Sequence, residues 1–166
     1  MKSLAVCPGS YDPITLGHLD VVRRVLTISE TVLIAVAHNP AKRYLFSLEE
    51  RVELAQRSVA ELGLERVQVE PVEGLLADYV RERGATAIVK GLRGSGDFES
   101  ERTMALLNRH MSGVETLFVM GDQGLNHVAS SFVKEMAEFG ADVTGLVTNV
   151  VREALAAAYG GGETWA

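Results

Sequence analysis

The feature that most constrains this chain is a repeated exchange between two hydrophobic patterns. Short apolar runs rich in Val, Ile and Leu recur at Ser3–Cys7, Thr31–Ala37, Arg66–Glu70, Ala85–Val89 and Glu115–Met120. Turn chemistry stands beside each of them: Pro8-Gly9, Asn39-Pro40, Pro71, Gly91 and Gly121. Between these strand candidates lie one-sided helical patterns. Ser47-Leu48-Glu49-Glu50 reads as a capping box, followed by the stripe Val52, Ala55, Val59 and Leu62 and a stop at Gly63. Leu75–Arg83 ends at Gly84 in the same way, and Phe132, Met136 and Phe139 form a stripe closed by Gly140. Further helices are expected to open near Gly17 and to cover Asp97–His110 and Val150–Tyr159.

Strands that alternate with helices imply βαβ units, which means parallel strands with helices on both faces. The expectation is an α/β fold, a doubly wound five-stranded parallel sheet in a single domain over 1–159. The glycines opening 160–166 read as a flexible C-terminal tail. A chain of 166 residues with 47% hydrophobic side chains is large enough to bury a core unaided. In open α/β sheets ligands bind beyond the carboxyl ends of the strands, so chemistry is sought in the loops there.

Several function classes are disfavoured at this stage. A single cysteine, Cys7, excludes a disulfide framework and a zinc site built on several thiolates. The formal net charge of −6 argues against a dedicated nucleic-acid binder, whose partner demands a basic face. No apolar run approaches the roughly 18 residues of a membrane span, and the N-terminus lacks a signal-peptide pattern. The expected setting is the reducing cytoplasm. There is no Gly-Lys dipeptide, hence no Walker A loop, the first strand-end loop is no G-x-G-x-x-G, and no G-x-S-x-G elbow of an α/β-hydrolase occurs in the chain.

What the loops do carry is anion chemistry. In the first, Gly9 allows close backbone approach, Ser10 brings a hydroxyl, and Gly17-His18 opens a helix whose free amides suit a phosphate. The second has Lys42-Arg43, either a clamp for an anionic substrate or a solvated basic loop. The fourth, Lys90-Gly91-Leu92-Arg93-Gly94-Ser95-Gly96-Asp97, gathers glycines and cations where a phosphate site belongs. In the fifth, Ser130 and Ser131 are placed to cap the next helix. His110 and His127 lack metal-ligand spacing, and Cys7 reads as a buried thiol rather than a nucleophile. The residues alone therefore reach a mononucleotide and phosphate site without a covalent nucleophile.

Thr15-x-Gly17-His18 after Pro8–Pro13 resembles the nucleotidyltransferase signature. Pro40-Ala41-Lys42, Phe46–Arg51, Lys90-Gly91-Leu92-Arg93, Asp97-Phe98-Glu99 and Ser130–Glu135 extend the resemblance to bacterial phosphopantetheine adenylyltransferases, over about Leu4 to Ala157. The resemblance implies a Rossmann-like nucleotidyltransferase fold. It implies transfer of the adenylyl group of ATP to 4′-phosphopantetheine with Mg²⁺, giving dephospho-coenzyme A and pyrophosphate. Ser10, Tyr11, His18, Gly91, Leu92, Arg93, Glu101 and the stretch Leu125, Asn126, His127, Val128, Ala129, Ser130, Ser131 would contact ATP. Ser10, Lys42, Leu76, Lys90, Asn108 and Glu135 would contact the acceptor, and His18, Lys42 and Arg93 would carry catalysis, with no protein ligand to a metal. The family also implies a homohexamer and coenzyme A as a feedback inhibitor.

Three positions depart from the family pattern. Ser100 stands where an aromatic is usual, the Gly121–His127 segment lacks the usual aromatic and Ser pattern, and Ala129 replaces the first Ser of a run. Two other readings stand beside the leading one: a related nucleotidyltransferase with a different small phosphorylated acceptor, and a nucleotide- or coenzyme-A-binding regulator with weak turnover.

Overall fold

A computed structural model of the chain describes residues 3–93 and 95–160. Gly94 and nearly all of the expected tail lie outside the described residues. Five strands form one sheet: β1 (Leu4–Gly9), β2 (Thr31–Ala37), β3 (Val67–Val72), β4 (Ala87–Leu92) and β5 (Thr116–Met120). Six helices join and follow them: α1 (Leu16–Val25), α2 (Leu48–Glu61), α3 (Leu76–Glu82), α4 (Ser95–Ser112), α5 (Ser130–Glu138) and α6 (Asn149–Ala158). The strand order is β3-β2-β1-β4-β5, and every pairing is parallel. The expected doubly wound sheet is borne out, with its reversal of direction between β1 and β4.

Side chains that alternate along each strand divide the core into two layers. Ala5, Cys7, Val32, Ile34, Val36 and Val89 pack with α1, α2, α5 and α6 through Leu19, Val22, Leu54, Val133 and Leu155. Val6, Leu33, Ala35 and Ile88 face the other way, onto Tyr79 and Val80 of α3. Burial of strand residues on both faces explains why the apolar runs were continuous rather than alternating.

Three expectations are corrected. Pro8-Gly9 and Gly91 are not turns. The strands run through them, with Gly9 opposite Val36 and Gly91 opposite Val119. Pro71 likewise lies inside β3, which an edge strand tolerates because one side of its ladder is free. Of the stripe Phe132, Met136 and Phe139 only Met136 packs against the core: Phe132 is 60% and Phe139 81% exposed, while Val133 and Ala137, one position round the helix, are buried. In α2 the buried face also takes in two polar residues that the apolar stripe did not flag, Arg51 and Ser58.

Candidate active site

The reversal point opens a cleft for a simple reason of register. β1 stays paired with β2 along its whole length, but it meets β4 only at Ala5–Ala87 and Val6–Ile88. Beyond Val6 the two strands part. The resulting cavity, about 220 Å³, is walled by Cys7, Pro8 and Gly9 on one side and Val89–Arg93 on the other. Tyr11, His18, Asp97, Glu101, Asp122 and Asn126 complete much of its rim. Two glycines make room here, one inside the β1 wall and one between β4 and α1. A Cβ on Gly9 would meet the Tyr11 ring at 2.9 Å, and one on Gly91 would meet Val21 Cγ2 at 2.7 Å.

His18 stands at the third position of α1, and its ring is fixed by a capping box of unusual composition. The Thr15 hydroxyl accepts the His18 amide at 3.3 Å, and His18 Nδ1 accepts the Thr15 amide at 3.1 Å. An imidazole nitrogen that accepts cannot carry the proton, so the neutral ring holds its hydrogen on Nε2. Tyr11 packs edge-on at 5.1 Å between ring centroids, and its hydroxyl donates to the Cys7 carbonyl at 2.8 Å. Burial, then Arg93 and then Lys90 push the His18 pKa down to about 4. The ring is therefore neutral near pH 7, with one N–H available to a ligand. Burial likewise lifts the Cys7 thiol to about 12, against the opposing pull of Lys90, so it is no thiolate nucleophile.

The first turn of α1 offers less free amide than its sequence implied. Leu16 N–H donates to the Leu146 carbonyl at 2.9 Å and His18 N–H to Thr15, which leaves the Gly17 amide. Positive charge comes instead from β4 and the segment after it. Lys90 pairs with Glu101 at 3.1 Å, and Arg93 pairs with Asp97 at 3.3 Å, with both carboxylates on α4. All four side chains keep a quarter or more of their surface exposed. A phosphate can compete for such pairs at modest cost.

A cytidylyltransferase-like family model matches residues 6–136. The phosphopantetheine adenylyltransferase of Bifidobacterium longum is 47% identical over 154 residues, covering 93% of each chain. That of Streptomyces coelicolor is 49% identical over 151 residues, covering 91% of this chain and 94% of the other. The chain belongs to the phosphopantetheine adenylyltransferase family. Its fold also matches a solved structure of a putative nicotinate-nucleotide adenylyltransferase from Vibrio parahaemolyticus, with a TM-score of 0.70 over 99% of both chains. At 17% identity that likeness speaks for the fold alone.

The cleft collects many of the residues that the family resemblance singled out: Tyr11, His18, Lys90, Gly91, Leu92, Arg93, Glu101, Leu125, Asn126 and Val128 all line it. Ser10, Lys42, Leu76, Asn108, His127, Ala129, Ser130, Ser131 and Glu135 do not. Lys42 sits on an exposed turn whose amide donates to the Asn39 carbonyl. Leu76 opens α3, Asn108 is buried in α4, and Glu135 is exposed on α5. Ser130 and Ser131 are not caps. Ala129 holds that position, and Ser130 Oγ, already inside α5, donates to the Pro13 carbonyl at 2.8 Å. The departing residue Ser100 bonds back within α4, to the Asp97 carbonyl.

Sequence reasoning missed the residues that brace the site. Asp12, 5% exposed, accepts the Leu45 and Phe46 amides at 3.0 Å each and Lys134 Nζ at 2.6 Å. Asp20 accepts the Asp122 amide at 2.8 Å and so ties the 121–129 segment to α1. Each of these partners lies 33 or more positions along the chain, so no local pattern could have signalled the contacts in advance.

Proposed function

We propose that this protein transfers the adenylyl group of ATP to 4′-phosphopantetheine, releasing pyrophosphate and dephospho-coenzyme A. The observation that carries this reading is the neutral His18 ring, its one N–H free, beside Lys90 and Arg93 in the cleft between β1 and β4. The names of relatives that align with nine-tenths of the chain support the choice of acceptor.

The chemistry needs no covalent nucleophile and no general base. The acceptor phosphate is already anionic and attacks the α-phosphorus of ATP. Its P–O bond forms as the bond to the pyrophosphate oxygen breaks on the far side. Negative charge grows on the non-bridging and leaving oxygens. His18 Nε2–H donates to a non-bridging oxygen, and the cations Lys90, Arg93 and Lys42 hold the phosphates in line. A neutral donor suits this place because it stabilises developing charge without binding the ground-state anion too tightly.

Mg²⁺ fits as an ion carried by the triphosphate. Among the described residues no three His, Cys, Asp or Glu side chains come together as a metal cage, and Asp97 and Glu101 face Arg93 and Lys90. Phosphate oxygens and water are the natural ligands of this ion, and its charge would offset that of the leaving group. A homohexamer agrees with the apolar side chains that α4 and β5 leave bare, among them Met104 (51%), Leu107 (49%) and Met120 (59%). Coenzyme A carries the same pantetheine arm and adenylate as the product, so the same cleft would take it as an inhibitor. A cytoplasmic setting follows from the need for ATP, and no described helix is long and apolar enough to cross a membrane.

The test is turnover followed by mass spectrometry, with Mg²⁺, ATP and 4′-phosphopantetheine. Parallel reactions replace the acceptor with nicotinamide mononucleotide, or supply CTP with glycerol 3-phosphate. Dephospho-coenzyme A with equimolar pyrophosphate is expected in the first reaction only. Product confined to a parallel reaction overturns the acceptor. Silence throughout with ATP bound favours a regulator.

A further inference from the structure

Arg51 is the largest fully buried side chain among the described residues, at 0% exposure. Its guanidinium is always charged, and a buried charge is ordinarily matched by a carboxylate. Here the partners are neutral. Nη1 donates to the Ser10 carbonyl at 2.6 Å and to the Ala37 carbonyl at 2.9 Å, and Nη2 to His38 Nδ1 at 3.2 Å. The plane lies over the Tyr44 ring, 4.1 Å from its centroid, and Nε has no hydrogen-bond partner among the described residues. No carboxylate pairs with Arg51 among the described residues. Such an arrangement is poor for stability, since a buried cation without a counter-charge is expensive to desolvate.

The partners themselves say what the arrangement holds. Ser10 directly follows β1, and Ala37 ends β2, so one guanidinium fastens together the carboxyl ends of the two strands. His38 and Tyr44 stand on either side of the turn that carries Lys42, with their rings 5.1 Å apart. The Tyr44 hydroxyl also accepts the Asn39 amide at 2.8 Å. Arg51 therefore grips both ends of the 38–44 segment from beneath. That segment has few other contacts to fix it, because His38–Arg43 are all exposed.

We propose that Arg51 is a positioning residue for the acceptor: it sets the 38–44 segment so that Lys42 meets the acceptor phosphate, and its one link to the nucleotide side is the backbone carbonyl of Ser10. This rests on the reading of Lys42 as an acceptor contact. The effect belongs in binding of the acceptor. Arg51 bonds to nothing in the β4–α4 wall, where Arg93, the cation on the ATP side, stands.

The test measures KM for each substrate separately in Arg51→Lys, Lys42→Ala and the double variant. Arg51→Lys keeps a buried cation but cannot span the Ser10 carbonyl, the Ala37 carbonyl and the His38 ring at once, and it is more tolerable to the fold than Arg51→Ala. The proposal expects KM for 4′-phosphopantetheine to rise about tenfold in Arg51→Lys, the scale of one lost charge-assisted hydrogen bond, with KM for ATP within about twofold of the parent. Within the Lys42→Ala background the Arg51 change should add less than about twofold, because both then act on one contact. Partial recovery of Arg51→Ala by added methylguanidinium would point the same way. Equal rises in both KM values, or full additivity with Lys42→Ala, overturn the proposal and leave Arg51 a packing element. An unchanged acceptor KM in Lys42→Ala alone is a separate result that removes the reading beneath it.

Discussion

The two walls of the cleft are built on different principles. The β1–α1 wall is buried and cross-braced: Tyr11, Asp12, Ile14 and Thr15 are all under 10% exposed. Its polar groups reach far along the chain, Asp12 to Phe46 and Lys134, and the Pro13 carbonyl to Ser130. The β4–α4 wall presents half-exposed ion pairs between neighbouring elements, Lys90 with Glu101 and Arg93 with Asp97. One wall is fixed before a ligand arrives. The other holds its charges in pairs that a phosphate can take over, which suits a site that must release pyrophosphate as readily as it binds ATP.

The sharpest way to break this comparison is at His18, the residue of the fixed wall proposed to act in the chemistry. His18→Ala should lower turnover by about 10²- to 10³-fold, the scale of one lost oxyanion donor, while calorimetry still finds ATP bound. Unchanged turnover would remove His18 from the mechanism. The same residue carries a pH signature. Its pKa is lowered from 6.5 to about 4 in the folded protein, so the unfolded chain takes up its proton first as pH falls. Its contribution to stability is complete above pH 6.5 and is lost as pH falls toward 4. Urea unfolding of the protein and of His18→Gln at several pH values should show the parent losing ground across that window.

Next in size is Asp12. Its removal leaves Lys134 without its carboxylate and strands the Leu45 and Phe46 amides. Asp12→Ala should cost about 3 kcal/mol in denaturant unfolding, the scale of breaking a buried pair. Lys134→Met should cost less, because Asp12 then keeps both amides. Equal losses would show that the ion pair alone matters. Smaller again is Gly91→Ala, which tests the close contact of β4 with Val21 of α1. The added methyl meets Val21 at 2.7 Å, a clash worth about 1–3 kcal/mol. Adding Val21→Ala should recover most of that loss.

The same division decides what could be read in advance. The fold was legible because it rests on local signals: apolar runs, a capping box at Ser47 and glycine stops at Gly63, Gly84 and Gly140. Strand ends were not, since Pro8-Gly9 and Gly91 look like turns until parallel neighbours pair with them. His18, Lys90 and Arg93 were legible as cleft residues because strand-end loops converge at a reversal of strand order, and Tyr11 through the family resemblance alone. The braces were not. The hydrogen bonds by which Asp12, Asp20 and Arg51 brace the site reach partners between 13 and 122 positions away, and nothing local marks them. Phe132 and Phe139 failed for the opposite reason: helical spacing gives a stripe but not its direction, and the smaller Val133 and Ala137 were turned inward instead.

The smallest expected effect sharpens the comparison most, because it asks the open wall to be insensitive. Glu101→Gln removes the partner of Lys90, whose side chain is 25% exposed. Water screens such a pair and solvates the freed ammonium, so unfolding should shift by less than about 0.5 kcal/mol. Function should not be equally indifferent. An unpaired Lys90 leaves more positive charge for a phosphate, so substrate KM should fall modestly, by about twofold, and the fall should vanish in high salt. Stability indifferent and affinity salt-sensitive is the behaviour of a wall whose pairs hold a place for ligand. A stability loss as large as that of Asp12→Ala would mean that the pair is structural, and the distinction between the two walls would collapse.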